Sequence, residues 1–118
     1  MRYNESKLQQ ACVKWFNYQY VELRGCLFSV PNGGARDSVT GRILKLEGVV
    51  AGVADLILLM PNKHYHALLI EMKTEKGRQS PSQREWQKKV ESVGYKYVIC
   101  RSLEQFIVEI EEYINKTK

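Results

Sequence analysis

Apolar positions change period several times along the chain, and the changes mark its elements. GVADLILLM at 52–60 and LLIEMK at 68–73 are near-continuous apolar runs, joined by the turn-forming residues PNKHY. Residues 55–60 and 66–73 therefore predict a β-hairpin with a short loop. Ahead of it, Leu8, Ala11, Cys12, Trp15 and Phe16 form a helical stripe, with Asn4 placed to cap its start. CLFSV at 26–30 reads as a strand, and 37–47 as a short helix weakened by Gly41 and ended by Gly48. After the hairpin, EKGRQ is a polar loop. SPSQREWQKKVESVG then opens a helix with Ser80 as N-cap, Pro81 in the first position and Gln83 completing a capping box. YKYVIC at 95–100 predicts a strand. SLEQFIVEIEEYINK predicts a last amphipathic helix with Leu103, Phe106, Ile107, Ile110 and Ile114 turned inward. No repeat or low-complexity tract interrupts this order.

That order is an α/β sandwich. The hairpin supplies antiparallel pairing, and the helix between its second strand and YKYVIC permits a right-handed parallel crossover, so the sheet should be mixed. At 118 residues and 44% hydrophobic content, the whole span 1–118 suits one compact domain with a real core.

Three charges stand inside the hairpin. With Met60 opposite His66, Asp55 faces Glu71, and strand alternation sets Glu71 and Lys73 on one face with Leu68, Ile70 and Met72 on the other. Buried charge in a strand points to chemistry. Opposed carboxylates repel unless one takes a proton or a cation lies between them. A hard divalent cation such as Mg²⁺ suits this pair, because it takes oxygen ligands, keeps several waters and needs only one or two protein carboxylates. The inference depends on register, since a slip of one residue separates the two acids.

Asp55 followed by Glu-x-Lys on the next strand resembles the PD-(D/E)xK nuclease signature, with Ala54 where that motif has proline. The wider set is more specific: Glu5 in the first helix, NGGAR at 32–36, GVAD at 52–55, EMK at 71–73 and SPSQREW at 80–86. Together they resemble a VRR-NUC (virus-type replication-repair nuclease) domain, from Glu5 to about the YKYVIC strand, as a stand-alone member. The resemblance implies a restriction-endonuclease-like three-layer core with a mixed sheet flanked by helices. It also implies metal-dependent hydrolysis of DNA. Asp55 and Glu71 would hold Mg²⁺ or Mn²⁺, the backbone carbonyl of Met72 would be a further ligand, and Glu5 would complete the acidic cluster. Lys73 would position the attacking water or offset phosphorane charge, and the Gln83 amide would orient Lys73, a water or a phosphate.

Plainer readings stand beside these. An acid at Glu5 complements a helix dipole, Gln83 is a capping residue, and Lys73 can be a strand-end lysine. Asn32, Gly33 and Arg36 suit backbone and guanidinium contact with DNA phosphate, or a simple glycine turn. Arg42, Lys45, Lys76 and Arg78 can add sequence-independent phosphate contacts, or only solvation. His64 and His66 share a strand face but lack further nearby ligands. Trp15 and Trp86 fall on helices, where packing is the default.

Composition changes this picture little. Eighteen basic against thirteen acidic residues give a formal charge of +5, a modest bias toward a polyanion. Cys12, Cys26 and Cys100 are odd in number and show no C-x-x-C spacing, which indicates neither a disulfide framework nor zinc. No run of about 18 apolar residues occurs, and MRYNESK lacks a signal-peptide core. A soluble cytoplasmic protein without membrane association is expected, by association of phage or bacterial origin. Stand-alone members of the resembled family are associated with homodimers that resolve four-way junctions, so a dimeric Holliday-junction resolvase is expected. A nuclease acting on flaps, nicks or single strands, or a non-catalytic DNA-binding module retaining the fold, are the alternatives.

Overall fold

The computed structural model describes residues 2–31 and 38–115. The NGGAR segment, with Asn32, Gly33 and Arg36, lies outside the described residues. In chain order the elements are α1 (Arg2–Gln19), a 3₁₀ turn at Val21–Leu23, β1 (Leu27–Ser29), α2 (Ser38–Leu46), β2 (Leu56–Leu58), β3 (Leu68–Met72), α3 (Pro81–Ser92), β4 (Lys96–Cys100) and α4 (Leu103–Asn115).

The four strands form one mixed sheet in the order β1-β2-β3-β4. β1 and β2 are antiparallel, as are β2 and β3, while β3 and β4 run parallel across the α3 connection. The hairpin register pairs Leu56 with Ile70, Ile57 with Leu69 and Leu58 with Leu68. Continued by one step, this sets Asp55 opposite Glu71, as expected. The paired strands are shorter than the apolar runs. Beyond Leu58, Pro61 has no N–H to give, and Asn62 Oδ1 accepts the His64 and Tyr65 N–H groups at 2.8 Å each, which closes the loop early. His66 N–H donates to Gly94 O instead of toward β2.

The sheet is covered on both faces. On one face Cys12 and Phe16 of α1 and Phe106, Ile110 and Tyr113 of α4 pack on Leu27, Leu56, Leu58, Leu68, Ile70, Met72 and Cys100. On the other, Trp86 and Val90 of α3 pack with Ala54, Leu69 and Tyr97. The residue pattern predicts this α/β sandwich with a mixed sheet, and the resemblance implies its three layers. All five residues of β3 are buried, as a central strand covered on both faces requires.

Some details differ from expectation. α1 begins at Arg2, so Asn4 lies within its first turn instead of capping it. Ala11 is exposed and Val13 packs against the core, a small rotation of the stripe that Cys12 and Phe16 define. In α4, Ile107 is only half-buried, and Tyr113 is 1% exposed with its hydroxyl donating to Met60 O at 2.8 Å. α2 runs from Ser38 to Leu46, where Gly48 at a φ of 106° follows, with Val39, Ile43 and Leu46 exposed.

Candidate active site

Asp55 precedes β2 by one residue, and Glu71 lies within β3. Glu71 is only 2% exposed. Asp55 is half-buried and its Oδ2 accepts the Met72 N–H at 2.7 Å. Because the N–H and C=O of an extended residue point to the same side, the Met72 carbonyl also faces the Asp55 side. Lys73, one residue past β3 with its side chain 12% exposed, places Nζ 3.7 Å from Glu71 Oε2. Its own N–H is held by Cys100 O at 3.1 Å, which continues the β4 pairing through the motif.

Gln83 reaches the same carboxylate from α3, donating from Nε2 to Glu71 Oε2 at 2.8 Å. Its Oε1 accepts the Ser80 N–H at 2.8 Å, while its own N–H donates to Ser80 Oγ at 3.2 Å. One glutamine is therefore both the capping-box partner and a site contact, because the amide's two ends serve the two roles separately. In this geometry its site contact is Glu71.

Two glycines in the sequence motifs are distinguished by the site. Gly52, at a φ of +87°, lies so close to α3 that an added Cβ would fall on the Ser82 carbonyl and come within 2.9 Å of Gln83 N. It lets the chain leading into Asp55 touch the first turn of α3, the turn that carries Gln83. Gly77 lies beside Lys73: a Cβ there would sit 3.5 Å from Lys73 Cδ.

Tyr97 was not singled out by sequence. It pairs with Leu69, is 6% exposed, and donates its hydroxyl to Glu71 Oε1 at 3.3 Å. Gln79 Nε2 donates to that hydroxyl at 3.3 Å and to Gln87 Oε1 at 2.8 Å, and Gln87 Nε2 donates to Glu91 Oε2 at 3.1 Å. The signal was present as four polar residues spaced by four, Gln79, Gln83, Gln87 and Glu91, three of them on one side of α3. Arg101 was missed as well. Its Nη1 donates to Thr74 O at 2.8 Å and Gly77 O at 2.6 Å, tying down the loop between Lys73 and Gln79.

Electrostatically the two carboxylates are costly to ionise together. Burial first, then the neighbouring Asp55 charge, pushes the Glu71 carboxyl up to about 8, against the pull of Lys73 and the Tyr97 hydroxyl. Burial also raises Tyr97, which stays a neutral phenol able to donate. The donor set around Asp55, Glu71 and the Met72 carbonyl is all oxygen, suited to a hard divalent ion. A cation there relieves the repulsion that raises Glu71.

Glu5 lies in the first turn of α1. It lines a groove of about 380 Å³ between α1 and β1, with Gln9, Val13, Lys14 and Phe28. Among the described residues no group of three His, Cys, Asp or Glu side chains is arranged to hold a metal ion. Arg42 and Lys45 are exposed on α2, and Lys76 and Arg78 are exposed on the loop after β3. His66 packs its ring on Tyr95 at 5.4 Å, and His64 on Tyr65 at 6.4 Å. Trp15 packs edge-on against Phe106 and Tyr20, and Trp86 against Tyr97. Among the described residues no helix is long and apolar enough to cross a membrane.

The family model of the VRR-NUC domain matches residues 3–104, a span containing every side chain described around Glu71. The chain belongs to the VRR-NUC family. A solved structure described as a VRR_NUC domain protein is similar at a TM-score of 0.84 and 25% identity, over 97% of this chain and 90% of that one. No curated protein matches. The mixed sheet and its covering helices are thus a VRR-NUC nuclease fold, a class of domain whose substrate is DNA.

Proposed function

We propose that this VRR-NUC protein is a Mg²⁺- or Mn²⁺-dependent endodeoxyribonuclease that cuts branched DNA, acting as a homodimeric Holliday-junction resolvase. One observation carries the reading: Asp55 and Glu71 face each other across the strand pair, with the Met72 peptide turned to Asp55 and Lys73 Nζ 3.7 Å from Glu71. Asp55, Glu71 and the Met72 carbonyl would hold the cation. A divalent cation bound there supplies Lewis acidity to the scissile phosphate and acidity to its water.

The side chains divide the remaining work. Lys73 holds the attacking water or offsets charge developing on the phosphate oxygens. Gln83 fixes Glu71 from the first turn of α3. Glu5, from its groove beside β1, contacts water or the DNA strand near the site. Asn32, Gly33 and Arg36, with Arg42, Lys45, Lys76 and Arg78, give phosphate contacts that set no sequence. A four-way junction has two-fold symmetry, and two copies of the chain bring two sites to its two strands.

The test is cleavage of labelled four-way junction, flap, nicked, duplex and single-stranded DNA with Mg²⁺, Mn²⁺ or EDTA, beside Asp55→Ala. Symmetric junction incision that needs metal is expected, reduced about a thousandfold in the variant, which corresponds to several kcal/mol of transition-state stabilisation. Preferential cutting of flaps, nicks or single strands replaces the resolvase by another structure-specific nuclease. Binding without cutting of any substrate leaves a DNA-binding module.

A further inference from the structure

The hydrogen bonds that end on Glu71 have a direction, and the far end of the chain sets it. Glu91 is exposed, and as a carboxylate it only accepts. Gln87 therefore turns its amino group to Glu91, at 3.1 Å, and its carbonyl back to Gln79. That carbonyl requires an N–H from Gln79, which it receives at 2.8 Å. The second hydrogen of the same Gln79 amino group goes to Tyr97 Oη at 3.3 Å. With its oxygen already accepting, the phenol gives its one proton to Glu71 Oε1. Gln83 meanwhile donates to Oε2, so each oxygen of Glu71 has a donor of its own.

We propose that Tyr97 is a positioning residue for Glu71, aimed by the Gln79, Gln87 and Glu91 relay, so that Glu71 meets a divalent cation with its carboxylate plane already fixed. The inference rests on the metal-dependent reading above. Tyr97 itself touches neither metal nor DNA in this role. It acts through Glu71, as the outer partners of metal ligands do when they fix ligand orientation. Donors on both oxygens also oppose bidentate chelation of one cation by Glu71, which favours a small octahedral ion over the larger, more flexibly coordinated Ca²⁺.

The experiment is Mn²⁺ and Ca²⁺ binding by titration calorimetry on the full chain without DNA, for wild type, Tyr97→Phe and Gln87→Ala, with circular dichroism to establish folding. Tyr97→Phe is expected to raise the Mn²⁺ Kd about tenfold or more, and to narrow the preference for Mn²⁺ over Ca²⁺. Gln87→Ala, which breaks the relay three links away from Glu71, shifts both in the same direction by less. In cleavage, the metal concentration for half-maximal rate rises while kcat at saturating Mn²⁺ returns to within about threefold of wild type, a split that loss of folded protein does not produce. A folded Tyr97→Phe with Mn²⁺ affinity and metal preference equal to wild type overturns the inference and leaves the metal reading standing. Should Tyr97→Phe not fold, the same equality in Gln87→Ala overturns it. A wild-type chain that binds no Mn²⁺ overturns the metal reading and this inference together.

Discussion

At Glu71 a carboxyl group with 2% exposure faces Asp55 in a layer otherwise filled by Leu69, Trp86 and Tyr97. Its ionised form is disfavoured in the folded chain and accessible in the unfolded one, so the sign of the pH dependence follows. A carboxyl raised above its ordinary value of 4.5 to about 8 contributes stability fully below pH 4.5 and loses it as the pH rises through about 8. The metal-free protein is therefore expected to melt at a lower temperature at pH 8.5 than at pH 6, measured by circular dichroism in EDTA. Glu71→Gln, which keeps the shape and cannot ionise, should flatten that slope while abolishing cleavage. A wild-type slope unchanged in the variant would place the pH dependence on another group. Gln83 uses opposite ends of one amide for its cap and its Glu71 contact. Ser80→Ala removes the cap oxygen and should cost about 1 kcal/mol in urea unfolding with cleavage retained. Gln83→Ala loses both contacts, and should lower cleavage as well as stability. Asp55, Glu71 and Lys73 were legible as a group because strand alternation and one register decide which side chains share a face. Tyr97 was not, since an aromatic residue in a strand is ordinarily packing. Its hydroxyl gains meaning only from the parallel pairing of β3 and β4.

Elements hold the site through contacts that local pattern does not disclose. The apolar runs, the Ser80–Pro81 helix start and the strand, helix, strand order of the second half were readable, because period and capping act within a few residues. The ends were less so. α1 starts ahead of Asn4, and Tyr113, not Ile107, fills the core under the hairpin loop, since rotation of a helix about its axis is settled by what it packs on. Gly52 shows the same limit. A glycine in GVAD reads as a turn, yet its role is to let the chain before Asp55 lie against the Ser82 to Gln83 peptide. Gly52→Ala combines a left-handed φ of +87° with backbone overlap, and should destabilise by about 2 kcal/mol or more. Gln83 must retreat to admit the methyl group, so cleavage per folded molecule should fall too, measured after correcting for folded fraction by circular dichroism. Arg101 joins elements in another way. Three carbonyl contacts from one guanidinium, to Thr74, Glu75 and Gly77, fix the loop that carries Lys76 and Arg78 and ends at Gln79. Arg101→Ala is expected to lower stability by about 2 kcal/mol, and to increase proteolytic nicking within 74–79.

A nuclease domain of 13.7 kDa would have to cut two strands of one junction to resolve it. A single copy carries one Asp55 and Glu71 pair, so after the first incision it must dissociate or turn before the second. A nicked junction would then accumulate. Two copies related by a two-fold axis bring both sites to the junction at once, and paired incision occurs within one bound lifetime. The two arrangements differ in a measurable way on a cruciform held in supercoiled plasmid. Paired incision yields linear product directly, whereas sequential action first yields the nicked circle, which loses supercoiling and with it the cruciform substrate. Linear product at the earliest times, together with a sedimentation mass of twice 13.7 kDa at the same protein concentration, is the expected result. Mixing wild type with Asp55→Ala sharpens the test, because a mixed dimer holds one working site and converts linear product into nicked circle in proportion to its share. A monomer mixed with the same variant loses rate without changing the product ratio. Nicked circle first, from a chain sedimenting as a monomer, would remove the resolvase from the reading and leave a metal-dependent nuclease that cuts one strand at a time.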